Sequence, residues 1–242
     1  MSSLPPLGKL FEATQTPISR LKLESRLKLL EAKDRELLNR IANLIAWSEQ
    51  PMARTDPQFV EEAKRFFEEV SNPTLREVVE HRLDLRTIVA ALRRRQRGEN
   101  EPPVGQIWGV GNWVNFIERH WMEPGFHLEA IFPWVLDANR LLAANDLVGL
   151  ERLQFGINWQ MLDRVGTRHY FDFEAAVIYL MRWSMVDRWA RYDGDAAVKR
   201  FRKLVDSGIE KFTPSPASET SLFDLATELD RTRLKNLICG EI

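Results

Sequence analysis

Cysteine is nearly absent. Cys239 stands alone among 242 residues. A single thiol excludes an intrachain disulfide and a thiolate zinc cluster, and it fits a reducing compartment. Surplus charge is missing too. The 34 Lys+Arg balance 35 Asp+Glu, a formal net charge of -1. General nucleic-acid binding needs a basic excess, so that class is disfavoured. A local basic patch is still compatible with the total. Long apolar runs do not occur either. A membrane span needs about 20 mostly apolar residues, and the most apolar stretch is interrupted by Glu174, Arg182, Asp187 and Arg188. The start, MSSLPPLGKLFEA, has no charged segment followed by an apolar one, so it does not read as a signal peptide. The expectation is a cytoplasmic protein, soluble or peripherally held at the inner membrane, with no direct membrane span.

Alternating apolar patterns, the mark of half-buried strands, are almost missing as well. Helical periods fill the chain instead, and hydrophobic residues make up 44% of it, enough for a sizeable interior. The fold class is therefore all-α, a multi-helix array of antiparallel helices around a central buried helix. Phe171 to Tyr192 is the stretch expected at that centre, because apolar residues cover most of its sides. Its end is expected near Asp193-Gly194.

Cap-plus-proline starts recur along the chain. Thr16-Pro17, Asp56-Pro57 and Asn72-Pro73 each place a capping side chain before a proline at the first helical position. The helix opened by Asn72 should run to about Arg97 and stop at Gly98 and the proline-rich run behind it. Asn145 or Asp146 can cap a later helix carrying Leu150, Leu162 and Val165. Thr213-Pro214-Ser215-Pro216 reads as a linker. The domain reading is one helical domain over 1–212, then a linker and C-terminal amphipathic helix over 213–242.

Motifs for chemistry are scarce. Gly105 to Gly111, GQIWGVG, is glycine-rich, but it has neither the glycine order nor the flanking strand of a dinucleotide fingerprint. No G-K-[ST] or G-x-S-x-G occurs. His81, His120, His127 and His169 show no metal-ligand spacing. No catalytic residue, cofactor or metal is expected. Two features point instead to contacts with other proteins. One is the Arg93-Arg94-Arg95-Gln96-Arg97 run at a helix C-terminus, where cations favour the negative dipole end. Such a run also suits an acidic protein surface or anionic head groups. The other is heavy tryptophan use: eight residues. Most should be core, but Trp108, Trp113 and Trp121 lie in less regular chain, where they could rim an interface or a groove. The expected partner-binding residues are Arg93, Arg94, Arg95, Arg97, Trp108 and Trp113.

Two segments resemble a known family. Arg82-Leu83-Asp84-Leu85-Arg86-Thr87-Ile88-Val89-Ala90-Ala91-Leu92-Arg93, with the basic residues and Gly98 behind it, resembles an element of the C subunit of prokaryotic V/A-type ATPases, the relative of eukaryotic subunit d. Phe173 to Leu180, through Asp187-Arg188-Trp189, is similar to a long helix of another repeat in that family. The opening, with Leu4-Pro5-Pro6-Leu7 and Thr16-Pro17, looks like a short bacterial branch found beside such ATPases. The resemblance implies a non-catalytic helical coupler between the central rotor stalk and the membrane proteolipid ring. No nucleic-acid partner is expected, on the near-neutral charge of the chain. Two other readings stand beside the coupler: a general helical adaptor, and an enzyme with a tryptophan-rich pocket near Gly105 to Trp121. The enzyme reading needs a cavity with convergent polar groups, and His120, Glu123 and His127 pointing into one pocket would strengthen it.

Overall fold

The structure, a computed structural model, describes residues 4–45, 56–103, 105 and 107–209, with side chains described for 57 onward in the second span and up to 191 in the last. Among the described residues every regular element is helical. A 3-10 turn at Leu10–Glu12 precedes α1 (Arg20–Leu27), α2 (Ala32–Ile45), α3 (Asp56–Glu69), α4 (Pro73–Gln96), α5 (Val114–Arg119), α6 (Trp134–Ala143), α7 (Leu147–Gly166) and α8 (Phe173–Ile209). The chain is all-α. It forms two compact units, one from Met1–Arg35 with Tyr179–Ile242, the other from Glu36–Ile178. The linker and last helix expected over 213–242 lie outside the described residues.

The larger unit is organised around α4, not around the Phe171 to Tyr192 stretch. Along α4, Leu75, Val78, Val79, Leu83, Leu85, Ile88, Ala91 and Leu92 are all buried. Positions this close in sequence cover several sides of a helix, which is what a central rod requires. Helices α5, α6 and α7 pack on it. The direction of α7 follows from its ion pairs. Arg164 and Arg168 near its end reach Glu77 at the start of α4, at 3.1 and 3.2 Å. Glu151 near its start acts on Arg93 at the end of α4. The two helices are therefore antiparallel.

Local chemistry sets the ends of these elements. Asn72 caps α4 as its sequence predicts: its Oδ1 accepts from the Leu75 amide at 3.1 Å. Its Nδ2 also donates to Glu174 Oε1. Removing both bonds with Asn72→Ala is expected to lower unfolding free energy by about 1–2 kcal/mol. A urea titration checks this; a loss within error of zero would show that the cap contributes nothing. Gly98, at φ 92°, closes the other end of α4 in the left-handed conformation that glycine adopts without a Cβ penalty. Asp146 Oδ1 caps α7 through the Gly149 amide at 2.7 Å.

Two boundaries differ from the sequence reading. Helix α1 begins at Arg20 instead of Pro17. The Ile18 carbonyl accepts from the Trp183 indole at 2.9 Å, so it is not committed to a helical turn. Helix α8 runs to Ile209, past the end expected near Asp193-Gly194. A glycine inside a helix costs only about 1 kcal/mol, too little to end one without a following proline.

The smaller unit has its own core. Ile18, Leu23 and Trp183 are buried together, with Leu4, Leu7 and Tyr179 packed against them. The Tyr179 hydroxyl donates to the Pro5 carbonyl at 3.0 Å. The proline-rich start is thus held by this apolar cluster and the Tyr179 hydrogen bond.

Candidate functional site

The chemically richest region lies in the larger unit, where the second half of α4 meets the chain from Ile107 to Leu128. Its core joins Leu85, Ile88 and Leu92 to Trp108, Ile117, Trp121, Phe126 and Leu128. The glycine-rich segment lies along α4 as ordinary backbone. Thr87 Oγ1 donates to the Val110 carbonyl at 2.7 Å and accepts from the Val110 amide at 3.0 Å. Gly109 faces the Thr87 methyl so closely that a Cβ would collide with it. Gly111 sits at φ 107°, and a Cβ there would overlap Asp84 Oδ1. Gly109 and Gly111 thus serve close approach between loop and helix.

Arg95 ties the next stretch down. Its guanidinium donates to the Trp121 carbonyl at 3.2 Å, the Glu123 carbonyl, the Pro124 carbonyl at 2.7 Å and Asn139 Oδ1 at 3.1 Å. It also stands 4.9 Å from the centre of the Phe126 ring. The turn it holds contains two consecutive non-glycine residues in the left-handed region, Phe126 at φ 56° and His127 at φ 57°. Each such residue costs roughly 1–2 kcal/mol, so the turn needs support. Burial of Phe126 in the core supplies the rest of that support.

The expected partner-binding residues divide in this setting. Trp108 is buried, its indole donating to Glu118 at 2.9 Å, so it faces the core. Arg95 is committed to its four oxygen acceptors. Arg94 is half-buried and pairs with Glu99 at 3.1 Å. Arg93 and Arg97 are exposed. They lie one turn apart, and the Arg97 charge acts on Arg93, whose pKa burial and Arg97 together lower. Trp113 is half-buried, edge-on to Phe116 and to Phe132. The surface open to a partner is therefore Arg93, Arg97 and the outer parts of Arg94 and Trp113.

His120, Glu123 and His127 do come together. The two imidazoles meet edge to face at 4.8 Å, and His127 Nε2 lies 3.9 Å from Glu123 Oε1. Glu123 and His127 are about half exposed at this turn.

A second cluster joins helix starts. His169, Asp172 and Glu174 carry donor atoms within 4.8 Å of one another, the kind of grouping that can hold a metal ion. Here every residue already has a protein partner. His169 Nδ1 meets Asp172 Oδ2 at 2.6 Å and its Nε2 meets Thr74 Oγ1 at 2.9 Å. Asp172 Oδ1 caps α8 through the Ala175 amide at 2.9 Å, and Glu174 bonds Asn72. The pKa of Asp172 is lowered, because these hydrogen bonds outweigh its desolvation. The cluster is a knot between the starts of α4 and α8. The adjoining residues Tyr170 and Phe171 are 74% and 84% exposed, an aromatic pair beside that knot.

Two ionisable groups on α4 belong to no sequence motif: Asp84, which is buried, and His81, which is half-buried. Asp84 is 7% exposed. Burial, helped by the nearby Glu80 charge, pushes its pKa up to about 7, against a hydrogen bond from the Trp113 side chain. Its Oδ1 has no partner. His81 shows the reverse: burial and the charges of Arg164 and Arg82 lower its pKa to about 4, and its Nε2 has no partner.

A family model described as "Protein of unknown function (DUF2764)" matches residues 12–211. No curated protein and no solved structure matches the chain.

Proposed function

The chain belongs to the DUF2764 family, and from that premise we propose that it is a non-catalytic helical coupling subunit, joining the central rotor stalk of a V/A-type ATPase to its membrane proteolipid ring. The proposal starts from the resemblance of Arg82 to Arg93, and of Phe173 to Trp189, to segments of the C subunit family. The observation that carries it is the exposed pair Arg93 and Arg97 at the end of α4. Like charges one helical turn apart repel, at roughly 0.2–0.5 kcal/mol per pair. Glu151 offsets part of it on the Arg93 side, and an acidic partner relieves it further on the exposed face. The pair also sits on the helix that the larger unit packs around, so load applied there enters the core directly. Tyr170 and Phe171 add exposed aromatic surface of the kind enriched in interfaces. No helix among the described residues is long and apolar enough to cross a membrane, which suits a subunit held at the membrane by other proteins.

A tagged copy should retain V-type ATPase subunits from gently solubilised membranes. Arg93→Glu with Arg97→Glu should weaken that retention by about tenfold at low salt, with the gap closing as salt rises. Repeated recovery of the protein without any ATPase subunit would overturn the proposal. Recovery with a defined partner of another kind would establish the general adaptor reading instead.

A further inference from the structure

We propose that the Asp84 carboxyl is a proton-operated latch for the segment from Trp108 to Trp113: neutral, it lies against Gly111 and the segment stays seated on α4; ionised, it loosens the segment's seat on α4 while the Trp113 indole still donates to it. Asp84 is buried between α4 and this segment, and Oδ1 has no hydrogen-bond donor. Gly111, at φ 107°, brings its backbone so close to Oδ1 that no side chain would fit. A neutral carboxyl tolerates such a seat, whereas a carboxylate there lacks the donors that a buried charge requires.

The other groups around it reinforce this asymmetry. Glu80, one turn earlier on α4, adds a negative field at Asp84. Glu80 also accepts from Asn112 at 2.6 Å, so it stays beside the segment. From the facing segment come Gly111, Asn112 and Trp113, none of which titrates near neutrality. The Trp113 bond is the one contact that favours the charged form, so the indole reports any change in Asp84. On ionisation the proton leaves to solvent, and the carboxylate gains by drawing water into the seam, which the closed segment excludes. Thr87, bonded twice to Val110, acts as the hinge pin that the loosened segment turns on. The latch depends on the fold of the larger unit alone and not on the ATPase assignment.

Hydrogen exchange of the full chain at pH 6 and pH 8, corrected for intrinsic rates, tests it. Amides of 107–113 should lose about tenfold protection between these pH values, while the α4 core amides do not. Asp84→Asn should keep high protection at both. Gly111→Ala, which forces a Cβ onto Oδ1, should show low protection at both. Equal protection of the wild-type segment at pH 6 and pH 8 would overturn the latch. So would a pH response of the same size in Asp84→Asn. If that variant fails to fold, infrared difference spectra of the wild type decide. Loss of a protonated-carboxyl band between pH 6 and 8, with a shift in the Trp113 indole signal, supports the latch; a carboxylate already ionised at pH 6 overturns it.

Discussion

Replacing Arg95 with alanine is expected to cost about 3–5 kcal/mol, the largest loss for any exposed or half-exposed residue in the larger unit. One guanidinium serves the carbonyls of Trp121, Glu123 and Pro124, the Asn139 amide oxygen and the face of Phe126. A hydrogen bond to a charged donor contributes roughly 1.5–3 kcal/mol. Water replaces part of that at the exposed carbonyls, so the four do not simply add. The second part of the loss comes from strain. Phe126 and His127 hold left-handed backbone only while the turn is clamped. Arg95→Lys should recover less than half the loss, because an ammonium cannot span a fork of acceptors. Urea unfolding gives the size. Near-ultraviolet circular dichroism of Trp121 and Phe126 should show the turn slackening first. A loss below about 1 kcal/mol in Arg95→Ala would mean that the turn holds itself.

The second prediction concerns pH, and it requires two variants. For Asp84 the folded pKa lies near 7, above its ordinary value. Its stabilisation is complete below the unfolded carboxyl value and is lost as pH rises through 7. For His81 the folded pKa lies near 4, below its ordinary value. Its stabilisation is complete above the unfolded imidazole value, near 6.5, and is lost as pH falls toward 4. Between pH 4 and 6.5 the two slopes oppose each other. Each shift corresponds at most to about 3–4 kcal/mol, and partial solvent access reduces this to about half. The pair should therefore leave the wild type with a shallow profile over that range. Asp84→Asn should expose the histidine slope, with stability falling on acidification. His81→Gln should expose the opposite slope, with stability falling as pH rises. Urea midpoints at pH 4.5, 5.5, 6.5 and 7.5 would show it. Parallel profiles for both variants and the wild type would show that neither group titrates as its burial implies.

Most helices and the caps at Asn72 and Asp146 were legible in the sequence because short-range signals decide them; the start at Thr16-Pro17 and the end at Gly194 were not. Asn72-Pro73, Gly98 and Asp146 set their boundaries through bonds within a few residues. The choice of central helix was not legible. Periodicity reports how apolar a stretch is, and Phe171 to Tyr192 is more apolar than α4. It does not report which helix the others close around. Helix α4 earns that place with charged residues at its turns, because Arg76, Glu77, Arg86 and Arg95 find partners or water at its margins. The division of the arginine run was equally hidden. Four arginines look alike in sequence, yet Arg95 turns inward because Trp121, Glu123 and Pro124 present carbonyls there. Asp84 carried one legible sign, a lone carboxylate between Leu83 and Leu85 on a buried face. Gly111, which faces it, lies 27 positions away in sequence.

The smaller unit is made from the two ends of the chain, Met1–Arg35 and Tyr179–Ile242. During synthesis, 143 residues, 36 to 178, separate Arg35 from Tyr179. At roughly 5–20 residues per second the ribosome needs on the order of ten seconds to deliver them. Throughout that wait Ile18 and Leu23 have no Trp183 to cover them. The nascent amino-terminal segment is then a sticky, unshielded leash, and a chaperone that grips leucine-rich peptides would find its foothold there.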